Sequence, residues 1–560
     1  MMIKKKIELA VEEAVQASGL PNNDFLLEHP TDLRFGDYAL NVAMILAKKH
    51  NREPKELASE IIQHLYRQKE NLEWLEKAEV AGPGFINLTL TRNFLTSNIK
   101  EATDQNNSSN FSQEENKNQK IIVEYTDPNP FKLFHIGHLM SNTIGEAVAR
   151  ILESTGAEIK RACYQGDVGL HVAKAIAYSL ETKIDWQEKS ALENAYAGGS
   201  KKYEENDDFK NKVIVVNKKI YDRSDAEINA LYDRGRQLSL DYFESIYKRL
   251  GTKFDYYFFE SETGQFGRET VLSRPDVFVK SDQAIVYQGE QAGLHTRVFI
   301  NREGLPTYEA KELGLAKIKY DQYPYDRSII VTGNEIVEYF KVLLSAMKKV
   351  FPALADKTKH LPHGMLRLPT GKMSSRIGEV ITAESLLIAV KERLVEKISE
   401  KKIEASGEVL DQIAVGAVKY SILRQDIGKD LIFDLDKSIA FEGNSGPYLQ
   451  YTYARAKAVL AKAVNNFPEE TPRETGEGGK LLERWLYRFS EVVERSAKEY
   501  APHYLCTYLH ELAGTFNAFY ATEKIIGSED ETWKLTLTQA TATIMKNGLN
   551  LLGIEAPERM

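Results

Sequence analysis

Ile121-Ile122-Val123-Glu124-Tyr125, continued by Thr126-Asp127-Pro128-Asn129-Pro130-Phe131-Lys132-Leu133-Phe134-His135-Ile136-Gly137-His138, is the stretch on which the fold turns. The first five residues read as a short apolar strand, and the Pro/Asn-rich run after them as a loop. Helical spacing follows from about Leu139 to Thr155, Gly156 stops it, and Glu158–Tyr164 reads as a second strand. Strand, helix and strand at this spacing make a βαβ unit, and hence a parallel sheet. The pattern returns downstream, with Thr307–Lys319 helical, Ser328–Thr332 a strand, Glu335–Phe351 a helix, and a strand ending near Gly364–Leu366. A long charged, helical stretch, residues 185–295, separates the two halves. The core is expected to be an α/β doubly wound parallel sheet of Rossmann-like type, split by that insertion.

Working outward, residues 1–103 read as a small α+β module. Leu40, Ala43, Met44 and Ala47 share a helical face, as do Leu57, Ile61 and Leu65, and Pro54 suits a first helical turn. Residues 104–120 are polar and low in complexity, the composition of a linker. The sheet domain is assigned to 121–405, and 406–560 reads as helices interrupted by a Glu/Pro/Thr/Gly-rich loop at 465–480. The full chain of 560 residues has room for about three or four domains. Two cysteines, Cys163 and Cys506, are too few for a disulfide framework or an all-cysteine zinc site, and favour a reducing compartment. The basic start lacks the unbroken apolar core of a signal peptide, and no run of about 18 apolar residues offers a membrane span. A net charge of −8 argues against a uniformly basic nucleic-acid coat but leaves room for a local basic groove.

Two loops carry the chemistry. In the first, His135, Gly137 and His138 stand between a strand and a helix N-terminus, where free N–H groups and positive potential suit phosphate. Both histidines can donate to phosphate oxygens as charge moves onto a leaving group, and Gly137 lets a flat base approach the backbone. Alone, His-x-Gly-His reads equally as two histidines in a tight turn. The second loop, Leu368-Pro369-Thr370-Gly371-Lys372-Met373-Ser374-Ser375-Arg376, lies after the last sheet strand. Lys372 and Arg376 there can supply cations to a triphosphate, although alone the loop reads as mobile basic surface.

Together, in this order, the loops resemble the HIGH and KMSKS signatures of class I aminoacyl-tRNA synthetases. VEYTDPNPFKLFHIGHLMSNTIGEAVARILESTG, YQGDVGLHVAKAI, FEGNSGPYLQYTYARAK, HYLCTYLHELAGTFNAFY and the terminal LNLLGIEAPERM resemble arginyl-tRNA synthetases in particular. FGDYALNVAMILAK with AGPGFINLTL resembles that family's extra N-terminal domain, and residues 406–560 its helical anticodon-binding domain. The resemblance implies ATP-dependent ligation of L-arginine to tRNA(Arg) through an arginyl adenylate, with release of AMP and pyrophosphate. Other readings are a class I enzyme for another amino acid, such as glutamate or cysteine, and a noncatalytic tRNA-binding paralogue. The length leaves no room for a large editing domain.

The resemblance also implies roles. His135, His138, Lys132 and Lys372 would be catalytic, and Gly137, Met373, Ser374 and Ser375 would join His135, His138 and Lys372 around ATP. Ser375 stands where the KMSKS pattern has its second lysine, and Lys132 would supply the missing charge. Arginine calls for carboxylates, since fork-to-fork pairing with a guanidinium is strong and directional. Glu260 and Glu312 fall at the family's guanidinium-binding acids, Glu312 in place of the usual Asp, with Tyr308 lining the same pocket. Asn129, Asp127, His135 and Glu335 complete the expected arginine site, with Asp127 opposite the α-ammonium. Tyr448, Tyr451 and Arg455, at i, i+3 and i+7, with Tyr520 and Met560, would meet the anticodon. Tyr38, Phe85 and Asn87 would meet the tRNA elsewhere. Mg²⁺ would arrive on the ATP phosphates with no dedicated protein metal site. Partners are expected to be tRNA(Arg), L-arginine and ATP, with no membrane and no DNA, for a cytoplasmic monomer.

Overall fold

The computed structural model describes residues 3–21, 24–68, 72–103, 116–369, 381–400, 406–463 and 476–560. The N-terminal module is an antiparallel sheet of β1 (Leu27–Glu28), β2 (Tyr38–Leu40), β3 (Leu75–Ala81) and β4 (Phe85–Leu90), in the order β1-β2-β4-β3. Helices α1 (Ile3–Ala17), α2 (Val42–His50) and α3 (Pro54–Arg67) close its core around Ile7, Leu46, Leu57 and Leu88. Pro54 takes the first turn of α3, where its missing N–H costs nothing. Helix α4 (Arg92–Thr103) leads out of the module.

The central sheet has five strands: β5 (Lys120–Glu124), β6 (Glu158–Gln165), β7 (Tyr256–Phe259), β11 (Arg327–Gly333) and β12 (Thr358–His363). All pairings are parallel, in the order β12-β11-β5-β6-β7. Between β7 and β11, β8 (Val279–Ser281), β9 (Ala284–Tyr287) and β10 (Arg297–Ile300) form a separate antiparallel sheet. Ile121, Ile122 and Val123 are fully buried, as in a strand covered on both faces. Each such side chain contributes about 1.5–3 kcal/mol of burial.

The helices of this region are α5 (Ile136–Ser154), α6 (Leu170–Thr182), α7 (Lys189–Glu205), α8 (Asp207–Asp222), α9 (Ala226–Leu250), α10 (Glu260–Leu272), α11 (Tyr308–Gln322), α12 (Val337–Val350) and α13 (Pro352–Lys357). Helix α5 is buried along nearly its whole length. It lies so close to the sheet that a Cβ on Gly145 would sit 2.2 Å from Tyr125 Cγ. The expected insertion, 185–295, is corrected by this topology. Only α7–α9 and the small antiparallel sheet are additions, because β7, within the same span, is the edge strand of the main sheet. The linker also ends earlier than expected. Asn116 is buried and donates to Thr155 Oγ1 at 2.8 Å, and Lys120 already pairs in β5.

The strand order reverses between β5 and β11, which makes that gap the topological switch point. The loops leaving these strands carry Asp127–His135 and Gly333–Glu335. Beyond the sheet, β13 (Leu366–Arg367) pairs with β14 (Leu431–Ile432). Beside the single turn Leu435–Ser438, the helices that follow are α14 (Ala383–Glu400), α15 (Gly407–Leu423), α16 (Gly446–Leu460), α17 (Glu477–Tyr487), α18 (Phe489–Glu499), α19 (Pro502–Thr522) and α20 (Glu531–Leu551). Five of them, α14, α15, α18, α19 and α20, pack on α5, and one hydrophobic core runs from β5 into α20.

Candidate active site

His135 is the N-cap of α5. Its Nδ1 accepts the backbone N–H of Gly137 at 3.1 Å, while His138 Nδ1 accepts that of His135 at 3.3 Å. The two rings stack with centroids 3.6 Å apart. Because each Nδ1 accepts, each neutral ring carries its proton on Nε2 and can donate there. Burial, then the charge of Lys132, lowers the pKa of His135. Burial, His135 and Lys132 push His138 well below the ordinary value. Both rings are therefore neutral donors near pH 7. Lys132 joins them from the same loop, its Nζ 5.4 Å from the Tyr196 ring centroid, and burial followed by Lys174 lowers its own pKa.

Lys372, Met373, Ser374, Ser375 and Arg376 lie outside the described residues. The chain emerging from that segment is fixed beside the histidines. Thr382 forms an antiparallel bridge with His135, Ile136 N–H donates to Ile381 O at 3.2 Å, and Ala383 N–H to Phe134 O at 2.9 Å. The chain that follows the second signature, Ile381–Ala383, thus adjoins the first at the switch point.

The floor of the crevice is acidic. Glu312 makes no ion pair among the described residues, and burial, then Glu124 and Asp127, raise its pKa well above the ordinary value. Asp127 is raised too, by burial and then Glu124, although its Oδ1 accepts Tyr164 N–H at 2.7 Å. Lys319 pairs with Glu124 at 2.5 Å, so one cation answers three clustered carboxylates. Tyr339 and Tyr164 line the cluster, and its charge raises both phenols further after burial. Glu260, expected to face the guanidinium alone, is already held by Lys311 at 2.6 Å, with both side chains buried. Tyr308 is 60% exposed, with Lys311 Nζ 5.2 Å from its ring centroid. Asn129 Oδ1 packs against Gly166, where a Cβ would come within 2.3 Å of it and 3.3 Å of Glu260 Oε1. Glu335 folds over Gly333, exposed, where its charge favours protonated His135.

Comparison with known proteins fits this geometry. Residues 99–435 match the class I tRNA synthetase (R) catalytic domain, 1–90 the arginyl-tRNA synthetase N-terminal domain, and 449–560 the DALR anticodon-binding domain. The arginine–tRNA ligase of Treponema denticola is 30% identical, covering 95% of this chain and 94% of its own. That of Pasteurella multocida is also 30% identical, covering 96% and 98%. The chain belongs to the arginyl-tRNA synthetases. The fold agrees with the solved Thermus thermophilus arginyl-tRNA synthetase, at 23% identity, a TM-score of 0.82 and full coverage of both chains. As a member of the family the chain is a class I arginine–tRNA ligase, with ATP, arginine and tRNA(Arg) as substrates.

Arg455 lies 4.7 Å from the Tyr451 ring centroid and 5.2 Å from that of Tyr520, and donates to Asn517 Oδ1. Asn517 Nδ2 in turn donates to Tyr448 Oη at 3.1 Å. Four of the five anticodon candidates therefore share one face of α16 and α19. Met560 is half-buried against the core at the chain end. In the N-terminal module, Phe85 is exposed but Asn87 is buried within its sheet. Tyr38 is corrected outright. It is 1% exposed, its hydroxyl donates to Glu491 of α18, and it has no surface to offer RNA. Sequence reasoning missed Glu124, Asn517 and Asp167. For Glu124 a signal existed, since an acid at the end of a wholly apolar strand needs a partner or a task.

Proposed function

We propose that arginyl transfer in this chain runs through the crevice between β5 and β11, with the Glu124, Asp127 and Glu312 cluster selecting the cationic substrate. The observation carrying this reading is the excess of carboxylate over cation, with buried Glu124 and half-buried Asp127 and Glu312 sharing one lysine. A bound guanidinium would supply the missing charge, paired to Glu312 and bordered by Tyr308 and Tyr339. Asn129 and Asp127 would hold the α-carboxylate and α-ammonium, and the Glu260–Lys311 pair would form the neutralised side wall.

In the first step a carboxylate oxygen of arginine attacks the α-phosphorus of ATP. The bond to the β-phosphate oxygen breaks and pyrophosphate leaves. His135 and His138 donate from Nε2 to the oxygens gaining charge, and Lys132 with Lys372 supplies positive charge there. Gly137 would leave room for the adenine, and Met373, Ser374 and Ser375 would contact ATP. Mg²⁺ enters with ATP. A hydroxyl of the terminal ribose then attacks the activated carbonyl and AMP departs. Phe85 and residues 1–103 would contact one part of the tRNA, and Tyr448, Tyr451, Arg455 and Tyr520 in 406–560 the anticodon. Glu335 bounds the ATP side of the arginine site. The enzyme would act as a cytoplasmic monomer with no DNA partner.

Amino-acid-dependent ATP–pyrophosphate exchange, run with and without tRNA(Arg) over all amino acids, tests the reading. Exchange with arginine alone is expected, weakened in Glu312→Gln. Equal exchange with another amino acid would overturn the assignment of the acidic cluster.

A further inference from the structure

One face of α9 bears on the site at four positions, Tyr232, Gly235, Arg236 and Ser239. Two of them fix the loop before the histidines. Ser239 Oγ accepts Phe131 N–H at 2.9 Å, and a Cβ on Gly235 would meet Phe131 Cε1 at 2.3 Å. Phe131 has φ +69°, a conformation that costs a bulky residue energy unless its surroundings impose it. The other two grip Asp167, which is fully buried just after β6. Asp167 Oδ2 accepts Tyr232 Oη and Arg236 Nε, each at 2.9 Å, and Ser261 Oγ at 2.7 Å. Its Oδ1 accepts Ser261 N–H at 2.9 Å. The Arg236 guanidinium also lies 3.9 Å from the ring centroid of Phe259, the N-cap of α10. Asp167 therefore joins three things: an added helix, the first turn of α10 that carries Glu260, and the Gly166 peptide on which Asn129 rests.

We infer that Arg236 and Tyr232 are positioning residues for the arginine site, acting through Asp167 to hold Gly166 against Asn129 and Ser261 beside Glu260. The inference rests on the placement of the arginine site given above, and gives the added helices a task in substrate affinity. The carboxylate of Asp167 is fully buried and already takes four donors from the protein. Its role is to fix the geometry of groups that touch the substrate.

The test is steady-state exchange and aminoacylation by the full-length enzyme, comparing Arg236→Lys, Tyr232→Phe and Asn129→Ala with the parent. Arg236→Lys keeps the charge but loses the flat guanidinium and its Nε geometry. It is expected to raise the arginine KM roughly tenfold to a hundredfold, the scale of a misplacement near an ångström. Tyr232→Phe, which removes one hydroxyl, should raise it a few-fold, in both cases with the KM for tRNA unchanged. An arginine KM unchanged in both variants overturns the proposal. So does a uniform change in all three KM values together with a fall in Tm, which marks a merely structural role. Asn129→Ala separates the underlying reading. If its arginine KM is unchanged, the site does not lie beside Gly166, and the proposal falls with that placement.

Discussion

A buried carboxylate without a counter-ion is costly, and a protein keeps one where a cation will arrive. Glu312, half-buried and without an ion pair among the described residues, approaches that description, with Glu124 and Asp127 raising its pKa further. The acid must be ionised to pair with a guanidinium, so arginine binding should drive protons off the cluster. The arginine KM is expected to rise as pH falls, and calorimetry in buffers of different ionisation enthalpy should detect proton release on binding. Glu312→Gln should raise that KM by roughly 10²-fold, the cost of removing one partner of a desolvated charge-assisted pair. Lys132→Ala belongs to the other substrate. Its ammonium faces both histidines, so adenylate formation should drop about 10²–10³-fold with tRNA affinity near normal. The histidine loop was legible in the sequence because strand, cap and helix are contiguous there. The Lys311 that neutralises Glu260 was not, because a pairing across fifty residues leaves no local pattern.

At the scale of elements, α5 fixes the position of the histidines, and its depth is set by Gly145. A Cβ there would lie 2.2 Å from Tyr125 Cγ, against a ring locked in the core. Gly145→Ala is expected to cost about 1–3 kcal/mol of stability, read as a lower denaturation midpoint, because helix and strand must part. The helical and strand periods made α5, β5, β6, α11 and α12 readable in advance. The short run Tyr256–Phe259 escaped, since four apolar residues running straight into a helix carry no alternation to mark a strand. Its pairing with β6 is what turns an apparent insertion into sheet plus helices. Histidines set a second property at this scale. Burial keeps His171 at about 3 and His360 at about 4, against an ordinary 6.5, and His138 well below that value. Below about pH 6.5 the unfolded chain takes up protons that these sites refuse. The stability they contribute is therefore complete above about 6.5 and is lost as pH falls toward 4, by up to about 1.4 kcal/mol per pH unit for each group. Chemical denaturation at pH 7.5 and 5.5 should show that decline, and His171→Asn should shrink it.

At the scale of the whole molecule, the N-terminal module is clamped to the helical C-terminal part by a small set of largely shielded polar contacts. Asp37 pairs with Arg484 at 2.8 Å, Tyr38 donates to Glu491, and His29 Nε2 lies 3.1 Å from Glu491 Oε2. His29 Nδ1 donates to Asp37 O at 2.7 Å. Tyr487 of α17 completes the module's own apolar core. None of this was visible in sequence, because residues some four hundred and fifty positions apart share no period or motif. The module carrying Phe85 and the helices carrying Arg455, the two parts proposed to contact tRNA, are thereby tied together. Glu491→Ala leaves the Tyr38 hydroxyl and His29 without their acceptor, at a cost of about 1–3 kcal/mol. The clamp shares no residue with the crevice, so arginine-dependent exchange at saturating tRNA should stay near normal. The KM for tRNA should rise several-fold, and limited proteolysis should release the N-terminal module sooner than in the parent. Tyr38→Phe removes the hydroxyl alone and should give a smaller effect in the same direction. A tRNA KM that does not move in either variant would show that the two parts bind tRNA independently, and that the clamp serves stability only.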